Sequence, residues 1–314
     1  MKQTIAQTKK YDLLLFGETL IDIFVDQDGV EHHFFGGSPA NICINTKRLG
    51  LKPILCSCLG NDDFGKFLLS KLHACEIDTS LIQNALGRTS IVKVNQSTTT
   101  PTPVFYRGCD SEISLNEDLI EAVKQAKILH FSYWPLTQNP AKDTLLSLIP
   151  IAKSAQTLIS FDPNIHPDII TNTSISKAEL SYVLQHVDFI KPSLDDLKRL
   201  FQESLSKETF MTRLEAYSIQ YIMMTLGKDG VYVSNNNQRM YFPANASSIV
   251  DATGAGDAYW SGFYLGYLHH LSLDDCVAIG QTASSFVINQ IGTLLKLNHA
   301  SQLKHMITPL SERR

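Results

Sequence analysis

The chain has 314 residues, 44% hydrophobic and 18% charged, with a formal net charge of −4. This is globular composition with ample length for a large core, and the acidic balance argues against a nucleic-acid-binding surface. The basic pairs Lys9-Lys10 and Arg313-Arg314 lie near the termini and read as solvated tails. No apolar run approaches the ~20 residues of a membrane span. The run over 13–16 is interrupted by Glu18 and Asp22, too soon for the core of a signal peptide. Six scattered cysteines, with a single residue between Cys56 and Cys58, read as free thiols of a cytoplasmic protein rather than zinc ligands.

Residues 11–16 are apolar but for Asp12 and end at Gly17, which predicts a buried strand. Residues 18–25 place Asp22 in an apolar segment. It is either a turn or cap residue, or a carboxylate at a strand's C-terminal end, where open α/β sheets gather ligand groups. Gly36-Gly37 permits close backbone approach. Pro39 suits the first turn of a helix that continues over 40–49 and stops at Gly50. Asn41 is a poor helix-interior residue, but near a helix start it can reach a ligand hydroxyl. A strand over 53–59 ends at Gly60, and residues 61–65 turn into a helix over 66–74. The strand–helix alternation predicts an α/β fold: a mostly parallel sheet with helices on both faces.

The alternation breaks between Gly87 and Gly108. Residues 89–94 and 104–107 read as strands with no helix between them, joined by a Thr/Pro-rich connector over 95–103. With residues 23–35 they predict a small separate sheet, a lid over the site. The expected division is a core of 11–22, 36–86 and 109–297, and a discontinuous lid of 23–35 and 87–108. Alternation then resumes with a helix over 117–127 and a strand over 128–132. A strand over 158–161 is closed by Asp162-Pro163-Asn164, and one over 187–191 by residues 192–196. A strand over 220–225, the turn Leu226-Gly-Lys-Asp-Gly230 and a strand over 231–234 follow. Residues 111–115 and 204–212 read as polar connectors.

The chain is organised around residues 251–261, Asp-Ala-Thr-Gly-Ala-Gly-Asp-Ala-Tyr-Trp-Ser. Apolar residues at helical spacing follow to Leu268, so Thr253-Gly-Ala-Gly256 sits where a helix begins. Free N–H groups and the positive end of the helix dipole meet there, which suits an anion. Asp257 lies in the first turn beside that anion site. Read plainly, it is a helix N-terminal acid worth ~0.3–1 kcal/mol. Read chemically, it is a base that takes a proton from a hydroxyl attacking phosphorus. The sequence lacks the Gly-x-x-x-x-Gly-Lys-[Ser/Thr] of a P-loop, and no Gly-x-Gly-x-x-Gly follows the first strand.

Two motifs decide between these readings: Gly36-Gly-Ser-Pro-Ala-Asn41 with Leu49-Gly50 and Gly60-Asn-Asp-Asp-Phe-Gly65, and Asp251-Ala-Thr-Gly-Ala-Gly-Asp257. In this order and at this separation they make the chain resemble the ribokinase-like (PfkB) carbohydrate kinases over about 11–297. Within that family it resembles the fructokinase-like sugar kinases. The resemblance implies a ribokinase-like fold and ATP-dependent phosphorylation of a sugar hydroxymethyl group, fructose first, with Mg²⁺ and, in some members, K⁺. Kinases of another small polyol (2-keto-3-deoxygluconate, ribose or a nucleoside) are the nearest alternative. A non-catalytic sugar-binding regulator is a second.

The family match also assigns roles. Asp257 is implied as the base, with the amides of Gly254, Ala255 and Gly256 holding the transferred phosphate. Asp22, Gly37 and Asn41 match sugar-binding positions, and Arg107 and Asn164 complete the expected substrate set. Lys191, Ser193, Thr225, Gly227 and Gly230 match the nucleotide segments, and Asp196 a water-linked Mg²⁺ position. Asp251, Thr253 and Gly292 match a monovalent-cation site. Ser193 and Asp196 replace a common Asn and Glu, His166 stands where an Arg is often near, and Tyr259 replaces Phe. An exposed edge or apolar face on the lid strands is expected to be covered by a homodimer.

Overall fold

The computed structural model describes residues 9–95, 103–171, 173–244, 253–288 and 293–295. Of the expected features, most of the 95–103 connector, Asp251 and Gly292 lie outside the described residues. The strands are β1 (Tyr11–Phe16), β2 (Leu20–Val25), β3 (Glu31–Gly36), β4 (Pro53–Gly60), β5 (Ile82–Ala85), β6 (Ile91–Asn95) and β7 (Pro103–Tyr106). They continue with β8 (Ala126–Ser132), β9 (Leu158–Asp162), β10 (Phe189–Ile190), β11 (Tyr221–Thr225), β12 (Val231–Asn235) and β13 (Gln238–Phe242). The helices are α1 (Ser38–Arg48), α2 (Asp63–Ala74), α3 (Glu117–Lys124), α4 (Ala141–Ser154), α5 (Pro167–Thr171), α6 (Lys177–His186), α7 (Leu194–Phe201), α8 (Lys207–Glu215), α9 (Ala255–Leu268) and α10 (Leu273–Ile288).

Nine strands form one sheet in the order β13-β12-β11-β10-β9-β8-β1-β4-β5. From β5 to β11 the neighbours pair in parallel, and β12 and β13 continue antiparallel. From β1 the chain steps outward to β4 and β5, then returns to lay β8 on the other flank. The switch point between β1 and β8 is where such a sheet opens a ligand crevice at its C-terminal edge.

The apolar run of β1 reflects burial on both faces. Leu14 and Phe16 join a core with α3, α4, α6, α7 and α8, while Leu13 and Leu15 join one with α1, α9 and α10. Helix α9 is buried on nearly every side, with every residue from 257 to 266 buried. That is why its sequence is apolar all round rather than amphipathic.

A second sheet, β3-β2-β6-β7, stands apart. Its strand β2 starts at Leu20 and carries Asp22 in mid-strand, opposite Phe34 of β3. Asp22 therefore does not lie at the C-terminal end of a core strand, as one reading of the sequence had it. The supposed connector over 204–212 is also corrected: it contains the start of α8, whose N-cap Ser206 accepts from the Thr209 amide. Among the described residues no helix is long and apolar enough to cross a membrane. All six cysteines are free thiols.

Helices α9 and α10 cross at Gly262. A Cβ there would stand 2.6 Å from the Ile279 carbonyl oxygen and 2.9 Å from the Ala283 Cβ. Alanine gains up to ~1 kcal/mol of helix propensity over glycine, but overpacking typically costs ~1–3 kcal/mol. Gly262→Ala is therefore expected to be destabilising, seen as a lower denaturation midpoint. A midpoint at or above the wild type would show that the crossing has slack.

Candidate active site

The C-terminal ends of the parallel strands deliver polar groups to one edge of the sheet. Gly17 and Glu18 follow β1, Ser132 ends β8, Asp162 ends β9, Lys191 follows β10 and Thr225 ends β11. Helices α1 and α9 start at this edge, as does α7 after β10.

Helix α9 begins at Gly254, with φ +77; a Cβ there would stand 2.7 Å from the Thr293 Cα. Only glycine fits that backbone in that space. The first N–H groups of α9 have no intrahelical carbonyl to bond, and the dipole adds partial positive charge. Asp257 lies in this first turn, buried. Its Oδ1 accepts from the Ser38 hydroxyl at 2.6 Å and its Oδ2 from the Asn41 amide at 2.9 Å. The Asn41 Oδ1 in turn accepts from the Thr293 hydroxyl at 3.0 Å, which fixes the amide's orientation. Asn41 thus ties α1 to the carboxylate of α9.

Helix α1 begins at Gly37, with φ +103; a Cβ there would stand 2.4 Å from the Glu18 carbonyl oxygen. The buried Glu18 carboxyl accepts from the Ser38 amide at 3.2 Å and the Ser132 hydroxyl at 3.0 Å. Asp22, on the small sheet, has no hydrogen-bond donor among the described residues.

Glu18, Asp22 and Asp257 have no cation in direct contact among the described residues, and all three titrate high. Burial pushes Glu18 up to about 8. Burial, then the Asp257 charge, pushes Asp22 up to about 7. Asp257 is raised to about 6 by burial, against the pull of its bonds from Ser38 and Asn41. Perturbed carboxyls gathered beside a helix N-terminus are the signature of a reactive site.

Asp162 and Asp110 are paired with cations. Asp162 lies 3.1 Å from the Lys191 ammonium, both buried. Asp110, wholly buried, accepts from Arg107 Nε at 2.9 Å and from Ser90, Gly108 and Trp134. Arg107 also donates to the Thr137 hydroxyl at 2.8 Å and lies over the Trp134 ring. Its charge pairs with that of Asp110. Asn164 is exposed, with φ +39.

Ser193 and Asp196 form a capping box at the start of α7, and the Asp196 carboxylate also accepts from the Ile165 amide at 2.7 Å. Ser193 bridges in parallel to Thr225, so Lys191, Ser193, Asp196 and Thr225 form one cluster. Gly227 and Gly230 bracket the turn between β11 and β12. Thr253 lies at the start of α9; its expected cation partners Asp251 and Gly292 lie outside the described residues. Among the described residues no group of three or more His, Cys, Asp or Glu could hold a metal. The donor set fits Mg²⁺ that arrives on nucleotide phosphates and keeps its waters, rather than an ion caged by protein.

A family model described as the pfkB family carbohydrate kinase matches residues 10–300. The chain belongs to this family. It is a carbohydrate kinase, a phosphotransferase with an alcohol group as acceptor. The PfkB match is supported by relatives over nearly their full length. The chain is 37% identical over 308 residues to an ATP-dependent 6-phosphofructokinase of Thermoanaerobacterium thermosaccharolyticum, covering 96% of this chain and 95% of that one. The solved fructokinase of Halothermothrix orenii matches with a TM-score of 0.76 and 32% identity over 87% of this chain and 98% of that one. A Vibrio cholerae fructokinase structure with fructose, ADP and potassium ion bound matches in fold, with a TM-score of 0.81 and 22% identity over 96% and 100%.

The sequence alone assigns no role to Ser38, Asp110 or Trp260; of these, Ser38 stands inside the Gly36–Asn41 motif.

Because the folded Glu18 carboxyl titrates at about 8, above its unfolded value, folding binds a proton there and this group's contribution falls as pH rises toward 8. Glu18→Gln, which keeps an acceptor for the Ser38 amide and a group for Ser132, is expected to melt at or above the wild type at about pH 8. Glu18→Ala strands both partners and is expected to cost ~1–3 kcal/mol. Equal melting of the two variants would remove the carboxyl from this network.

Proposed function

We propose that this kinase transfers the γ-phosphate of ATP to a hydroxymethyl group of fructose, giving fructose 6-phosphate and ADP. The observation that carries the reading is Asp257, a buried carboxylate at the first turn of α9 with no cation in direct contact among the described residues. Asp257 takes the proton of the hydroxymethyl group and the oxygen's electron pair attacks the γ-phosphorus. The bond from phosphorus to the β–γ bridging oxygen breaks, and ADP leaves. The amides of Gly254, Ala255 and Gly256 bind the charge on the phosphoryl oxygens, since such transfer needs positioning and charge stabilisation above all.

Asp22, Gly37, Asn41, Arg107 and Asn164 bind and orient the sugar in this reading. Lys191, Ser193, Thr225, Gly227 and Gly230 hold the nucleotide, and Asp196 orients a water of the Mg²⁺ ion. Mg²⁺ bound with ATP offsets phosphate charge. Thr253, with Asp251 and Gly292, is the proposed monovalent-cation position. The small sheet, which carries Asp22, acts as a lid that keeps water from the phosphoryl group.

A second reading, fructose 6-phosphate as acceptor, is favoured by the 37% identity to a 6-phosphofructokinase. A coupled ADP-release assay with fructose, fructose 6-phosphate, 2-keto-3-deoxygluconate, ribose and a nucleoside separates these acceptors. Fructose is expected to give the highest kcat/KM. Preference for the phosphorylated sugar would overturn the first reading in favour of the second.

Asp257→Asn is expected to lower kcat at least ~10²-fold, the range of a general base. The base works only as carboxylate, so kcat is expected to fall as pH drops through about 6. Ser38→Ala removes a bond that favours the charged form, so its acidic limb lies higher. A pH profile unchanged by Ser38→Ala, or an Asp257→Asn variant with most of its rate, would take the base role from Asp257.

The small sheet exposes Phe24, Phe34, Val104 and Tyr106, each 36–55% exposed. In our reading a second copy of this sheet covers them. Light scattering is expected to give the mass of two chains rather than the 35.0 kDa of one. A monomer at micromolar concentration would contradict this.

A further inference from the structure

Trp260 follows Asp257 by three residues on α9 and is fully buried. Its indole N–H donates to Asp162 Oδ2 at 2.8 Å, and the same oxygen lies 3.1 Å from the Lys191 ammonium. The ammonium is 5.8 Å from the Trp260 ring centroid. A Cβ on Gly256 would stand 3.2 Å from it. The charge of Lys191 therefore rests against the first turn of α9, between the proposed phosphoryl-binding amides and Asp162.

On its other side the indole is walled in. His130 packs against it edge-on at 5.3 Å, and the His130 Nδ1 lies 2.7 Å from the Tyr264 hydroxyl. Burial, then the Lys191 charge, holds His130 far below its ordinary value, at about 3, so this wall is neutral.

An ammonium has three donors. Asp162 is the only partner of Lys191 Nζ among the described residues, although Lys191 is only 5% exposed. Burying an ion pair costs desolvation that its own attraction barely repays. A buried lysine with donors to spare beside a helix N-terminus has the chemistry of an anion site.

We propose that Asp162, anchored by the Trp260 indole N–H, is a positioning residue that aims the Lys191 ammonium across the first turn of α9 at the phosphoryl group in transfer. The inference rests on the phosphoryl-transfer reading above. Lys191 touches the nucleotide; Asp162 acts through Lys191, and Trp260 acts through Asp162. The groups that face Asp257 are Ser38 and Asn41 from α1, Asp22 from the small sheet, Asp162 from β9 and Lys191 after β10. Asp162 raises the Asp257 carboxyl and Lys191 lowers it.

The test measures kcat, KM for the sugar and the acidic limb of the pH profile for Asp162→Asn, Lys191→Met, Trp260→Phe and the double variant Asp162→Asn/Trp260→Phe. Asp162→Asn is expected to lower kcat ~10-fold or more with sugar KM unchanged, a misplacement effect, and to move the acidic limb down. Lys191→Met is expected to lower kcat further and to move the limb up. The double variant is expected to match Asp162→Asn alone, since residues in one chain of action do not add. A wild type that transfers phosphate, with Asp162→Asn at full rate or both limbs moving the same way, would overturn the inference while leaving the function intact. Additive losses in the double variant would detach Trp260 from Asp162. A wild type inactive on every sugar would fail the function reading and this inference with it. Asp162→Asn is isosteric and decides the matter alone if Trp260→Phe does not fold.

Discussion

The site is organised around one carboxylate, Asp257, held in a buried place where a helix N-terminus favours negative charge and burial opposes it. Its two oxygens are taken by Ser38 and Asn41 of a different helix. Those bonds favour the charged form, and burial dominates them, so the group rests near the point where it can both hold and release a proton. A structural cap would be satisfied by the amides of its own helix turn. This carboxylate is instead held by side chains from α1, across the mouth of the crevice.

The charges of the site are sorted by task. Acids needed for fixed geometry are paired with a cation: Asp162 with Lys191, and Asp110 with Arg107. Glu18, Asp22 and Asp257, with no cation in direct contact among the described residues, titrate high and can change protonation state near neutrality; burial raises Asp162 as well, against the pull of Lys191. A charge fixed in a pair stabilises developing charge without reorganising, while an unpaired acid can move a proton. Both kinds come from strand ends and helix starts at one edge of the sheet, or from the small sheet beside it, so the fold supplies the sorting.

Much of this was legible in the sequence because its causes are local. The run over 11–16 announced a strand buried on both faces, and the glycines before Asp257 announced a helix start open to an anion. The break in alternation after Gly87 announced the second sheet. Elements with weaker local causes escaped. β5 and β13 are short strands on the edges of the large sheet, half exposed, with no alternation strong enough to mark them. Helix α8 starts within a polar stretch that reads as a connector, although Phe210, Met211 and Leu214 line one buried face. The partners within the site escaped for another reason. Ser38 bonds a residue 219 positions away and Trp260 one 98 positions away, and no periodicity carries such pairings. Asp22 matches a family position, but its place in the fold was not legible, because an acid in mid-strand and one at a strand end look alike in one dimension.

The most direct test of the central claim is a crystal structure of the kinase with fructose and a non-hydrolysable ATP analogue. The account predicts a sugar hydroxymethyl oxygen within hydrogen-bond reach of Asp257, about 3 Å, and the terminal phosphate against the amides that open α9. A sugar bound with no hydroxymethyl group near Asp257, or a phosphate seated away from that helix, would contradict it.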